Sequence, residues 1–224
     1  MHVIYLAGGI ASGKSTIAKT LEECGATLID LDDFSREALG ANSPILPQIK
    51  AEFGDDIINP AGSVKRELLA QRAFASTERT VTLEEIELPL IDKMLRDRMA
   101  ELEDQERAER AENLDAPEKI VVIEIPLLDR MRGSFDMADE IIGVVCPLPA
   151  RRARAAQRGI EPRDFNRRVD QQPTEAYIKA HSSHVFNNIH TADVLEQEVK
   201  DWWAMRVEQG WKKVSRKGGG VAQA

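Results

Sequence analysis

Apolar residues along this chain follow two rhythms. Some stretches are almost continuously apolar or β-branched: Val3-Ile4-Tyr5-Leu6-Ala7, Ala26-Thr27-Leu28-Ile29, Ile120-Val121-Val122-Ile123-Glu124-Ile125 and Glu140-Ile141-Ile142-Gly143-Val144-Val145-Cys146. With the shorter His184-Val185-Phe186 they predict five strands. Unbroken apolar runs without in–out alternation belong to strands covered on both faces, as in a parallel sheet. Between them the spacing is helical. Thr16-Ile17-Ala18-Lys19-Thr20-Leu21 begins one helix, residues 34–40 and 44–53 predict two short ones, and Ser43-Pro44 opens the second of these. Asn59-Pro60-Ala61-Gly62 marks a turn, and Ser63 is placed to cap a helix that begins there. From Thr82 to Asn113, Leu83, Ile86, Leu90, Met94 and Leu102 trace a long helical region that Pro89 should break or kink. Beyond Glu103 the apolar stripe gives way to Glu, Asp, Gln and Arg, the pattern of a solvated helix extension or a hairpin tip. Residues 192–209 predict a closing helix, and the tail from Val214 is expected to be disordered. Strands separated by helices predict a doubly wound α/β fold.

The first strand runs directly into Gly8-Gly9-Ile10-Ala11-Ser12-Gly13-Lys14-Ser15-Thr16, which fits Gly-x-x-x-x-Gly-Lys-Ser/Thr. Glycines let such a loop curl so that successive N–H groups face one concavity, and the following helix adds its positive N-terminal end. The candidate nucleotide-binding residues are therefore Gly9, Ala11, Ser12, Gly13, Lys14, Ser15 and Thr16. Lys14 has the reach to neutralise β- and γ-phosphates, and the Ser15 hydroxyl is a candidate Mg²⁺ ligand.

Composition narrows the partners. The formal net charge is −8, so binding nucleic acid through bulk electrostatics is excluded, and an anionic substrate needs a locally basic site. Only Cys24 and Cys146 occur, without metal-ligand spacing, which fits a reducing cytoplasm. The opening Met1-His2-Val3 lacks a basic leader, and no apolar run approaches the length of a membrane span. His181, His184 and His190 show no metal spacing and are expected at the surface, while Trp202, Trp203 and Trp211 are expected to pack a helix on the core.

Three further signals bear on chemistry. Asp32 follows the second strand, where ligands bind in open α/β sheets. It is either a base for an attacking hydroxyl or a helix N-cap, with Asp30 a second candidate for the base. Glu124 ends the central strand, and either reaches Mg²⁺ through water or merely pairs with Lys14 or a nearby helix. Arg151, Arg152, Arg154, Arg158, Arg163, Arg167 and Arg168 crowd together in an otherwise acidic chain. Arg151, Arg154 and Arg158 share one helix face, which is either a phosphate clamp on a lid or an ordinary solvated surface. The excess of one sign favours the lid.

Several separated stretches resemble one family, the dephospho-coenzyme A kinases. They are the glycine loop; Leu28-Ile29-Asp30-Leu31-Asp32; Phe53-Gly54; Gly62-Ser63-Val64-Lys65-Arg66-Glu67-Leu68-Leu69 with Phe74; Pro89-Leu90-Ile91; and Ile125-Pro126-Leu127-Leu128. Arg154, Gln157-Arg158, Arg168 and Gln172 resemble that family's lid, and Asn188 its nucleotide-end asparagine. The likeness spans residue 3 to about 200. It implies a P-loop NTP hydrolase-like fold: a doubly wound, mostly parallel five-stranded sheet with helical substrate-binding and lid insertions. Residues 1–58, 118–150 and 183–212 would form the nucleotide core, 59–117 a helical substrate domain and 151–182 the lid.

The implied activity is ATP-dependent phosphorylation of the ribose 3′-hydroxyl of dephospho-coenzyme A, with Mg²⁺. Asp32 would be the base, with Lys14, Arg154 and Arg158 on the moving phosphoryl group and Ser15 and Glu124 at the metal. ATP and dephospho-coenzyme A are the expected partners of a monomer or weak homo-oligomer. The chain departs from the family pattern at Ala7, Ala11, Leu88, Asp129 and Ser182-Ser183. A small-metabolite or nucleoside kinase of the same fold, or a nucleotide sensor with decayed catalysis, are the alternatives.

Overall fold

A computed structural model describes residues 1–130 and 136–212. In chain order the elements are β1 (His2–Gly8), α1 (Lys14–Glu23), β2 (Thr27–Asp30), α2 (Leu31–Ala38), α3 (Leu46–Phe53), α4 (Arg66–Ala73) and α5 (Thr77–Glu112). Then follow β3 (Ile120–Ile125), β4 (Glu140–Val145), α6 (Leu148–Gln157), α7 (Pro162–Gln171), α8 (Glu175–His181), β5 (His184–Asn187) and α9 (Ala192–Glu208). The expected tail from Val214 lies outside the described residues.

Two compact units divide the described residues: Met1–Asp30 with those from Asn113 onward, and Leu31–Glu112. The first holds a five-stranded sheet in the order β2-β3-β1-β4-β5. All its pairings are parallel. β1 is central, and every residue of β1, β3 and β4 is buried, which is why these strands carry unbroken apolar runs. Register brings Leu6 and Asp30 both opposite Glu124, and Gly8 opposite Val144, so the strands end together at one edge.

On one face α1 packs against α9. Ile17 and Leu21 meet Ile4, Leu6, Val122, Ile142, Val144, Phe186, Leu195, Val199 and Trp202 in a single core, with Trp203 and Trp211 packed on it as expected. His184 is a correction. It is half-buried, edge-on to Phe186 and beside Trp202, and burial lowers its pKa. A β-strand's pleat turns it inward, which its polarity alone did not foretell.

At the opposite edge of the sheet, β1 and β4 begin around a buried charge cluster. His2 Nε2 lies 2.9 Å from Glu140 Oε1, and Arg206 of α9 donates to the same oxygen at 3.0 Å. Arg206 also donates to the Lys212 carbonyl at 2.9 Å and stands over the Trp211 ring.

The second unit is helical. α5 packs on α2, α3 and α4, burying Ile49, Phe53, Leu69, Leu83, Ile91 and Leu95. Residues 31–58, expected with the nucleotide core, belong to this unit because the buried faces of α2 and α3 meet α5. Two local expectations also change. α5 starts at Thr77 and passes through Pro89 without a break. Proline removes one N–H and crowds one carbonyl, a loss that strong helix formers on both sides and the buried face outweigh. Ser63 does not cap α4, whose N-cap is Lys65. Its hydroxyl instead accepts from Asn59 Nδ2 at 2.7 Å, and its amide donates to Asn59 Oδ1, closing the 59–63 turn.

Candidate active site

The glycine loop joins the carboxyl end of β1 to α1. It needs left-handed backbone at two positions, Ala11 (φ 57°) and Gly13 (φ 102°). Its carbonyls are held by the protein. Gly9 accepts from the Ser12 amide at 3.1 Å, Ile10 from Arg151 Nε at 2.8 Å, Ser12 from Asn188 Nδ2 at 2.7 Å, and Gly13 from the Thr16 amide at 3.1 Å. The Thr16 amide is used in this way, while the Lys14 and Ser15 amides open α1 with no carbonyl within the helix to bond, the condition for an anion site. The Ser12 hydroxyl is buried and has no hydrogen-bond partner among the described residues.

Lys14 opens α1, and its Nζ donates to Glu124 Oε2 at 2.8 Å. Both side chains are largely buried, at 15% and 8% exposure, so the pair is a fixed feature and not a surface ion pair. It joins the loop to the end of β3, beside the central strand. Ser15 is exposed in the first turn of α1 and Thr16 is half-buried. Among the described residues no group of three or more His, Cys, Asp or Glu side chains forms a metal cage. Ser15 and Glu124 offer hard oxygen ligands of the type that Mg²⁺ takes from a protein when substrate phosphates supply others.

Asn188 follows β5 and is buried. Its Oδ1 accepts from Arg154 of α6 at 3.1 Å, so one amide side chain joins the loop to α6. Arg154 also donates to Cys146 Sγ at 3.4 Å. Burial pushes the Cys146 thiol pKa up, with Arg154 opposing the shift. Arg158 lies exposed at the C-cap of α6. The three arginines predicted on one face thus differ: Arg151 is buried, Arg154 half-buried and Arg158 exposed.

Asp32 lies in the first turn of α2, two residues past the end of β2, and is exposed. It is not an N-cap, because α2 begins at Leu31.

Two further groups lie against the loop, and neither is marked as a site residue by its local sequence. Arg151 reaches Ile10, and Gln172 Oε1 accepts from the Ile10 amide at 2.6 Å. Arg151 belongs to the arginine run and Gln172 to the stretch that resembles the family's lid. Nothing in a linear run of arginines marks which one turns toward a loop far away in sequence.

A family model described as dephospho-CoA kinase matches residues 2–193. A dephospho-CoA kinase of Geobacter metallireducens is 35% identical over 210 residues, covering 93% of this chain and 98% of its own. That of Corynebacterium diphtheriae is 32% identical over 204 residues, covering 91% of this chain and 96% of its own. A crystal structure of a Thermus thermophilus protein superposes with a TM-score of 0.69 at 26% identity, covering 91% of this chain and 97% of that one.

Proposed function

The chain belongs to the dephospho-CoA kinase family, and from that premise we propose how its residues divide the work of ATP-dependent phosphorylation of dephospho-CoA. The observation that carries the reading is the glycine loop itself: its carbonyls are tied back by Ser12, Arg151, Asn188 and Thr16, and Lys14 is held at the sheet edge by Glu124.

The acceptor is the ribose 3′-hydroxyl of dephospho-CoA. Its oxygen forms a bond to the γ-phosphorus while the bond from that phosphorus to the β–γ bridging oxygen breaks, and ADP leaves. Asp32 orients the hydroxyl and takes its proton. Loop amides and Lys14 hold the phosphate chain and balance the charge that spreads over the transferring group. Arg154 and Arg158, from the lid, add guanidinium charge to the same group, with forks that match phosphate oxygens. Asn188, bound to the Ser12 carbonyl, keeps the loop's inner edge in place at the nucleotide end. Ser15 and Glu124 would hold Mg²⁺, which when bound supplies charge neutralisation at the β- and γ-oxygens.

The test is an ADP-release assay with Mg·ATP and a panel of alcohol acceptors: dephospho-CoA, adenosine, shikimate and gluconate. High turnover is expected with dephospho-CoA alone, and phosphorus NMR of the product should show a new ribose 3′-monophosphate. Faster turnover of another acceptor, or ADP release independent of any acceptor, overturns the assignment.

A further inference from the structure

Ile10, at the crown of the phosphate loop, is gripped at both of its backbone polar groups by helices from later in the chain. Arg151 of α6 donates from Nε to the Ile10 carbonyl at 2.8 Å. Gln172, just past α7, accepts from the Ile10 amide at 2.6 Å. An apolar contact accompanies this grip. Ala11 of the loop, Ala155 of α6 and Phe165 of α7 form a small buried cluster, with Ile10, Ile160 and Val169 packed around it.

Arg151 is an expensive choice for this position. It is 7% exposed, and burial lowers its pKa, with Glu175 and Cys146 opposing the shift. No carboxylate among the described residues forms an ion pair with it. Its terminal nitrogens lie where a Cβ on Gly9 would be, so residue 9 has no room for a side chain while Arg151 is there. Burying a guanidinium against one carbonyl costs more than that single hydrogen bond returns, so stability does not explain the arrangement.

We propose that Arg151 is a positioning residue for nucleotide binding, which acts by fixing the Ile10 carbonyl and so, together with Gln172, makes the shape of the phosphate loop and the seating of α6–α7 a single equilibrium. The proposal rests on the loop being the nucleotide site. Releasing Ile10 from either helix lets its peptide groups rotate, and the neighbouring amides at Ala11 and Ser12 rotate with them. The nucleotide then has to restore the loop, which weakens binding by the fraction of molecules in which the loop is already correct.

Two substitutions separate the hydrogen bond from the charge. Arg151→Gln keeps a nitrogen donor at the same number of bonds from the backbone and deletes the charge. Arg151→Met places a methyl group at the position of Nε and deletes both the donor and the charge. In calorimetric titrations of the full chain with Mg·ADP, Arg151→Met should raise Kd about tenfold, while Arg151→Gln should stay within about threefold of the parent. KM for ATP should follow the same order, with KM for dephospho-CoA unchanged. Gln172→Leu, which removes the other half of the grip, should weaken Mg·ADP binding as well. Combined with Arg151→Met it should lose less than the product of the two separate effects, because both act on one loop.

Parental affinity in Arg151→Met overturns the proposal. So does an equal loss in Arg151→Gln, which would make charge and not position the agent, and so does strict additivity with Gln172→Leu. If Arg151→Met does not fold, as judged by circular dichroism, Arg151→Gln and Gln172→Leu decide between the same outcomes. Failure of the unsubstituted protein to bind Mg·ADP overturns the phosphate-loop reading itself, a result distinct from any of these.

Discussion

The Asn188 side-chain amide fills the space that a Cβ at Gly13 would need. Gly13 is also left-handed, with φ 102°. The glycine is therefore required twice, once by backbone geometry and once by contact. Gly13→Ala should raise Kd for Mg·ADP at least about tenfold and destabilise the fold by about 1–3 kcal/mol, the cost of holding an L side chain in a rare backbone region. Adding Asn188→Ala removes the collision but not the torsional strain, so it should restore the affinity only in part. Full restoration would mean that φ at position 13 carries no cost.

Asp32 is the group on which turnover depends in the proposed mechanism. Asp32→Asn keeps the side chain's size and removes its ability to accept a proton. Uptake of Mg·ATP should stay within about twofold, while kcat falls by about 10²–10⁴, the range for loss of a general base. Turnover near the parental value would remove Asp32 from the reaction.

Glu87 in α5 gives stability an unusual pH dependence. Burial, with Glu84 nearby, pushes its pKa up to about 7, although Arg66 and a hydrogen bond from Ser35 oppose the shift. Its Oε1 is buried and has no hydrogen-bond partner among the described residues. An acid whose folded pKa exceeds its unfolded value binds a proton in the native state that the unfolded chain has already released. Its effect is therefore a penalty that grows as pH rises from the unfolded value of 4.5 toward 7, and is complete above that. Glu87→Gln should be more stable than the parent by about 2 kcal/mol at pH 8 and nearly equal to it at pH 5. Urea melts at the two pH values measure this; the same difference at both would show that ionisation of Glu87 is not the cause.

The cluster of His2, Glu140 and Arg206 should act on stability alone. Glu140 and Arg206 are 1% and 3% exposed. Arg206→Met leaves a buried carboxylate with His2 as its one remaining side-chain hydrogen-bond partner among the described residues and should cost about 3–5 kcal/mol. The double variant with Glu140→Leu removes the stranded charge and should recover most of the loss. Steady-state kcat and KM at 25 °C should not change in either variant, because the cluster lies at the strand edge opposite the glycine loop. A changed KM for ATP would contradict that separation.

Much of the first unit was legible in the sequence because its signals are local. The glycine spacing at 8–15 specifies a strand–loop–helix, and the apolar runs at 120–125 and 140–146 are short, unbroken and β-branched, as covered strands are. Where the reading fell short, the deciding contact lay far away in sequence. Arg151, Arg154 and Arg158 look equivalent along a helix face, yet Arg151 alone of the three is buried, its Nε on the carbonyl of Ile10, 141 residues earlier. Ser63 resembled an N-cap, but Asn59 claims both its hydroxyl and its amide. Residues 31–58 follow the second strand directly, so nothing local revealed that their buried faces meet α5.

α5 carries proline at position 89 within 36 helical residues, so the carbonyl of Glu85 receives no amide from four residues ahead. At 1.5 Å per residue the rod is about 54 Å long with one rung removed roughly a third of the way along. Twist and strain along such a rod gather at its missing rung. Hydrogen exchange should therefore divide α5 into two separately protected blocks, one from Thr77 to Leu88 and one from Leu90 onward, joined by a weak step that the sequence itself supplies.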